Sequence, residues 1–308
     1  MSHWQPSARP DLLQMRAAIL QRIRHFMAAR RTIEVTTPVM TPTGVTEPQI
    51  ESLALDHGQG YLRTSPEYFH KRMLAAGLGD LYEIGPVFRA GEKGKLHRQE
   101  FTLLEWYRTG RDWQQMATET LELITDCSPQ QHPGWQIHRV AWTELFRQQL
   151  DFDPLTEPAA AIRLTGDELP ADCDTDMRLD YLFSTRIQDR FPNQQLTLVH
   201  GYPAAQAALA CLDPDDKRLA CRFEVFAGSL ELANGYQELT DPVEQRQRFE
   251  RDNARRAQLG RAAMPIDETL LAAMEHGLPS CSGVALGIER LLMALSGARQ
   301  ISEVMAFG

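Results

Sequence analysis

The sequence predicts an α+β fold, and three stretches predict it. Residues 85–107, GPVFRAGEKGKLHRQEFTLLEWY, read as a hairpin. A short apolar run (Val87, Phe88) ends in Arg89, a loop rich in Gly and Lys spans 90–96, and a second run, 100–107, alternates in polarity. RFEVFAGSLELANGY, beginning at Arg222, reads as two further strands around a turn at Ala227 and Gly228. SGVALGIERLLMAL, 282–295, runs as a tight strand of small residues into a helix, with Arg290 in its first turn and Leu291, Leu292 and Leu295 suited to a buried face.

The remaining elements follow from punctuation. Residues 11–30 read as an amphipathic helix with Asp11 as N-cap after Pro10. TIEVTTPVM, 32–40, reads as a strand interrupted by Pro38. Pro66 sits just inside a helix over 67–76 capped by Ser65, and 112–125 is another helix. Residues 151–190, rich in Asp, Pro and Ala, are expected to hold small helices with acidic turns.

Composition narrows the function classes. A chain of 308 residues can bury a large core in one domain or two. Its net charge of −9 argues against stable tRNA binding, because proteins that wrap nucleic acid usually present a basic surface. The densest basic stretches, 22–31 and 246–261, are spaced like amphipathic helices; they read as solvated faces or as a docking surface for an acidic protein. Five scattered cysteines without CxxC spacing fit reduced thiols and argue against a zinc knuckle. The N-terminus has no apolar signal core, and no run approaches the roughly eighteen apolar residues of a membrane span, so a cytoplasmic chain is expected.

The chemistry lies on the hairpins. On a strand, alternate side chains share a face, so Phe101, Leu103, Glu105 and Tyr107 present a ring, a carboxylate and a phenol together. Arg89 is a planar cation suited to a carboxylate or phosphate. A site for a cationic ligand at one end and a nucleotide at the other has this form; so does a buried-edge hairpin with one satisfied Glu. Glycines at 283 and 287 allow close backbone approach, and the helix start that follows favours anions. If Ala227 and Gly228 form a two-residue turn, Glu224 pairs with Glu231, a like-charge contact that a divalent cation would reverse. The alternative is a loosely paired, solvated hairpin edge, since Ala-Gly is not a favoured turn pair.

Together, 85–107 and 282–295 resemble motifs 2 and 3 of class II aminoacyl-tRNA synthetases, and the first helix with its Pro-containing strand resembles motif 1, which forms the dimer interface. TSPEYFHKRMLAAG, FTLLEWYR, RFEVF and ELANGYQELTD narrow the resemblance to the lysyl-tRNA synthetase catalytic domain, and most closely to its stand-alone relatives that ligate lysine to elongation factor P. The similarity runs from about Pro10 to the end and is weakest at about 129–193. It implies a class II-like antiparallel sheet flanked by helices, with 1–308 as a single catalytic domain and 129–193 as a variable helical segment. An OB-fold anticodon-binding domain would need about a hundred residues before the first helix, and none is expected. It also implies a homodimer, ATP as substrate, Mg²⁺, and elongation factor P as acceptor.

The resemblance assigns roles residue by residue. Arg89 bridges the substrate carboxylate and the α-phosphate; Arg290 lies near the γ-phosphate and over the adenine, with Phe101 on the other adenine face. Glu92, His97, Leu232 and Gly287 complete the ATP set, and Glu224 and Glu231 hold the metal. Glu105, Tyr107 and Glu238 hold the lysine ammonium and amine, Ser65, Pro66 and Glu67 form the SPE substrate stretch, and Asn234 stands beside the carboxylates. Ala285 replaces the glycine usual in lysyl-tRNA synthetases and matches the alanine of ligases that activate (R)-β-lysine, which implies preference for that isomer; the alternative is that it merely packs. The chain departs from the family pattern FRNE at Gly91, and Arg98-Gln99 stands where Asn-Pro is usual. Three functions are consistent with this pattern: a lysine-to-protein ligase, a short lysyl-tRNA synthetase, and a non-catalytic amino-acid-binding paralogue. Retention of both arginines and both glutamates argues against the last; the acidic balance and the expected lack of an anticodon domain argue against the second.

Overall fold

The computed structural model describes residues 4–129, 134–170 and 173–308. Helix α1 (Pro10–Ala29) buries Leu12, Ile19, Ile23, Phe26 and Met27 along one stripe. Its N-cap is Arg9 and not Asp11: Pro10 fills the first turn, where a missing N–H is harmless, and Asp11 lies inside that turn, accepting from Arg9 at 2.7 Å. Pro38 does split the following segment, into β1 (Ile33–Glu34) and β2 (Met40–Thr41). Strand β2 joins β4 (Tyr61–Leu62) and β3 (Leu53–Ala54) in a small antiparallel sheet. Helix α2 (Glu67–Ala75) has Pro66 at its N-cap position, so Pro66 stands just outside the helix; Ser65 Oγ nevertheless accepts the Glu67 N–H at 3.0 Å.

The hairpin comprises β5 (Leu81–Phe88) and β6 (Glu100–Thr109). Helix α3 (Trp113–Asp126) follows, started by a capping box between Asp112 and Gln115. Next come β7 (Gln136–Ala141), α4 (Trp142–Leu150), α5 (Ala159–Thr165), α6 (Thr175–Leu182) and β8 (Gln195–His200). Then β9 (Arg222–Ala227), β10 (Leu230–Gln237), α7 (Pro242–Gln258), α8 (Glu268–Gly277), β11 (Cys281–Gly287) and α9 (Ile288–Ser296) complete the order.

Among the described residues the main sheet has eight strands in the order β1-β5-β6-β11-β10-β9-β8-β7. The expected α+β class holds. The sheet is antiparallel from β5 to β8 but parallel at both edges, β1 with β5 and β7 with β8. Parallel neighbours need long crossovers, and α4 to α6 supply one of them. The segment at 129–193 therefore holds the expected small helices and also a sheet strand, β7.

Alternation sorts the two faces. Leu104 and Trp106 of β6 turn to a core with α1, α3 and α9, whereas Leu103, Glu105 and Tyr107 line a cavity on the other face. Trp106 is fully buried and donates to Glu119 at 3.2 Å, so truncating it to Ala would cost about 3–5 kcal/mol. Two arginines of the basic stretch 246–261 are not on a solvated face. Arg248 donates to the carbonyls of Ala208 and Ala210 (2.8 and 2.7 Å), and Arg256 to Ala262 (2.7 Å) and Glu51 (3.0 Å).

The β9–β10 register differs from the expected one. Ala227 pairs with Leu230, so the turn is Gly228-Ser229, one residue further on. Gly228 has φ +56°, a conformation glycine adopts freely, which draws the turn to it. A bulge between Glu231 and Ala233 adds another shift, leaving Glu231 opposite Phe226 and Glu224 opposite Asn234.

Candidate active site

Strand register builds the site as rows. Glu83, Glu105, Ala285, Asn234 and Glu224 follow one another across β5, β6, β11, β10 and β9. The adjacent row is Tyr107, Gly283, Tyr236 and Arg222. Gly283 is required there: a Cβ would stand 2.4 Å from the Tyr107 ring and 2.6 Å from Glu238 Oε1. The bulge in β10 keeps Glu231 on this face with Asn234 and Tyr236, since cross-strand partners share a face. The cavity over these rows has a volume of about 1540 Å³.

One end is acidic. Ser65 Oγ donates to Glu105 Oε2 and Tyr107 OH donates to Glu105 Oε1, both at 2.8 Å. Lys71 Nζ lies 2.7 Å from Glu67 Oε1 and 2.7 Å from Glu238 Oε2. Glu105, Tyr107, Glu238 and Lys71 are buried. Burial alone would depress the Lys71 ammonium, but Glu238 and Glu67 hold it above its ordinary range. Burial, with the charges of Glu67 and Glu105, pushes the Glu238 carboxyl up to about 8 despite Lys71. Carboxylates thus outnumber cations in this corner, and the excess is met by a proton that a cationic ligand could replace.

The other end carries the arginines. The Arg89 guanidinium lies over the Phe101 ring, 5.2 Å from its centroid, with a buried Nε that has no hydrogen-bond partner among the described residues. Arg290 donates to Glu231 at its carbonyl (3.1 Å) and Oε2 (3.2 Å) and reaches His97 Nε2 at 2.8 Å. A guanidinium only donates, so His97 Nε2 accepts; burial and then the Arg290 charge lower the His97 pKa accordingly. Glu92 stands 3.6 Å from His97. Gly91 has φ +79°, a conformation in which the family's glutamate would be strained. Arg98 folds onto the carbonyls of Gly94 (2.7 Å) and His97 (3.0 Å), within the loop.

Glu224 accepts from Tyr202 OH at 2.6 Å and Arg222 at 2.5 Å. Burial and the Glu231 charge raise its pKa against Arg222. Among the described residues no cluster of three or more His, Cys, Asp or Glu could hold a metal by itself. Two carboxylates on one face fit Mg²⁺ only with substrate phosphates completing its shell, which is its usual habit.

Of the residues expected from sequence, Ser65, Glu67, Arg89, Glu92, His97, Phe101, Glu105, Tyr107, Glu224, Glu231, Leu232, Asn234, Glu238, Ala285, Gly287 and Arg290 line this cavity. Pro66 does not; it is buried at the start of α2. Sequence reasoning missed Lys71, His70 and Arg222. The i,i+4 spacing of Glu67 and Lys71 was a usable signal for the first, and the period-two spacing of Arg222 and Glu224 for the last.

A hairpin-borne arginine, a glycine-rich strand entering a helix with a second arginine, and one cavity between them define a class II synthetase catalytic fold. The family model for class II tRNA synthetases (D, K and N) matches residues 4–308, and the chain belongs to that family. Among curated relatives it is 42% identical to the elongation factor P–(R)-β-lysine ligase of Photorhabdus laumondii, over 99% of this chain and 97% of the relative. It is likewise 42% identical to the ligase of that name from Mannheimia succiniciproducens and 41% to that of Klebsiella pneumoniae, each over 99% of this chain and 97% of the relative.

Proposed function

We propose that the chain is an ATP-dependent, AMP-forming ligase that activates (R)-β-lysine and passes it to the ε-amine of a specific lysine on elongation factor P. The observation that carries this reading is the polarity of one continuous cavity. Carboxylates exceed cations at one end, and two arginines with an aromatic ring occupy the other. A diamino acid whose carboxylate meets ATP has the complementary polarity. The relatives' names supply the acceptor, and near-complete coverage of both chains supports carrying it over.

In this reading Glu105, Tyr107, Glu238, Glu67 and Ser65 hold the substrate's ammonium groups, and Asn234 and Arg89 direct its carboxylate. Phe101 supports the adenine, and Arg290, His97, Glu92, Leu232 and Gly287 surround the nucleotide. Glu224 and Glu231 would hold Mg²⁺, which supplies charge neutralisation at the phosphates. The substrate carboxylate attacks the α-phosphorus, the bond to the β-phosphate breaks, and pyrophosphate leaves. Positioning and the Arg89 charge lower this barrier, since no covalent protein chemistry is needed. A neutral acceptor amine then attacks the anhydride carbonyl and AMP leaves. The reading includes a single cytoplasmic catalytic domain that pairs through α1 and the β1–β2 segment, where Ile33 of β1 and Met40 of β2 are exposed apolar residues.

Pyrophosphate exchange with an amino-acid panel, followed by transfer of the labelled product to purified elongation factor P and total tRNA side by side, tests this. Exchange stimulated by β-lysine and label on the protein are expected. Label on tRNA alone would establish the synthetase reading, and no exchange with any amino acid the non-catalytic one.

A further inference from the structure

We infer that His70 is a positioning residue: a buried imidazolium that holds Glu105 toward the substrate and makes amino-acid affinity depend on pH. This rests on the reading that Glu105 binds the substrate's ammonium.

His70 is on α2, 0% exposed, wedged against β5 and β6. Its Nε2 lies 3.1 Å from Glu83 Oε2, and its Nδ1 points at Glu105 Oε1 at 3.6 Å with no hydrogen-bond partner. Glu83 and Glu105 are direct cross-strand partners, a like-charge pair that is unfavourable unless something cationic lies between. A neutral imidazole can donate from only one nitrogen; the other would aim a lone pair at a carboxylate. The imidazolium serves both.

The surroundings make this asymmetric. Glu83 is anchored from the scaffold side by Arg63 at 2.8 Å and the Thr37 hydroxyl at 2.7 Å. Among the described residues Glu105, at the cavity, accepts hydrogen bonds from Ser65 and Tyr107, with His70 Nδ1 3.6 Å away. Among the described residues the charged and titratable groups facing His70 are Glu83 on β5 and Glu105 and Tyr107 on β6, with the Tyr107 ring edge-on at 5.4 Å, and Glu67 on its own helix feels the His70 charge. Burial opposes the charged ring, but Glu105 and Glu83 outweigh it and raise the His70 pKa. As pH rises through that titration, the bare nitrogen repels Glu105, the carboxylate turns from its place, and the share of amino-acid affinity that His70 supplies is lost.

The experiment is pyrophosphate exchange at saturating ATP, with the preferred lysine isomer varied, from about pH 6 to about pH 9, in wild type, His70→Gln and His70→Leu. The leucine variant should raise the KM for the amino acid about tenfold, with kcat and the KM for ATP changed less than about threefold. Ionisation of Glu238 at about 8 tightens binding in wild type and variant alike as pH rises, so the quantity read is the ratio of the His70→Leu KM to the wild-type KM, which should fall toward one with rising pH. The glutamine variant, which keeps a donor, should fall between and serves if the leucine variant does not fold. Identical pH profiles in wild type and variant, or a loss confined to kcat, would overturn the inference. Nitrogen NMR of histidine-labelled protein, assigned with His70→Gln, reads the ring without activity. A doubly protonated His70 at neutral pH is expected, and a neutral tautomer overturns the inference. If wild type activates no lysine isomer, the proposed function fails while the NMR result still decides the state of His70.

Discussion

Ala285 faces Glu105 directly across the β6–β11 ladder and Asn234 directly across the β10–β11 ladder. Its methyl therefore stands between the group assigned to the ammonium and the group assigned to the carboxylate end. Moving the amino group from the α to the β carbon changes the span between those two contacts. A single methyl at a close-packed wall is worth about 1–3 kcal/mol. Wild type should prefer (R)-β-lysine, and Ala285→Gly should narrow the preference by about tenfold. Exchange rates for both isomers decide it; an α-lysine preference in wild type, or no change in the glycine variant, removes Ala285 as discriminator.

Glu231→Gln should abolish adenylate formation while leaving the fold intact. Glu231 is only half-buried and contacts Arg290 at the cavity edge, so its loss leaves no buried charge unpaired. A fall in exchange of about a hundredfold or more is expected, with an unchanged melting transition. Chelating Mg²⁺ should reproduce the loss in wild type. Near-wild-type exchange in the variant would remove Glu231 from the metal site.

Amino-acid binding should release a proton. The free Glu238 carboxyl titrates at about 8, so it is largely protonated at neutral pH. A bound ammonium favours its ionised form, and the proton leaves; above that value the group is already ionised and release fades. Calorimetry in buffers of different ionisation enthalpy measures the effect. Proton uptake at neutral pH would contradict the arrangement.

Acid should weaken the fold through Glu83. Burial would raise its pKa, but hydrogen bonds from His70 and Thr37 and the Arg63 charge lower it from 4.5 to about 2. A carboxylate whose folded pKa is depressed contributes stability above the unfolded value and loses it as pH falls toward the folded one. Glu83→Gln should therefore be less stable by about 3 kcal/mol at neutral pH, with the gap closing as pH falls from 4.5 to about 2. Urea unfolding across that range reads it; a gap independent of pH would show that the loss is packing alone.

Local periodicity determined much of this protein. Alternation in 100–107 placed Phe101, Leu103, Glu105 and Tyr107 on one face, and the glycine-rich run at 282–295 placed Arg290 at a helix start, because period-two and period-3.6 patterns are properties of the backbone itself. Tertiary structure decided what each face meets. The turn moved to Gly228-Ser229 and a bulge entered β10, so Glu224 came to oppose Asn234 and not Glu231, although both glutamates still reached the cavity. Strand β7 joined the sheet through a parallel crossover that no short-range signal marks. Lys71 met Glu238, and His70 settled between Glu83 and Glu105, through contacts made between separate elements. Such contacts depend on how strands and helices pack, and a one-residue change in a turn or bulge alters them without changing the pattern of either strand.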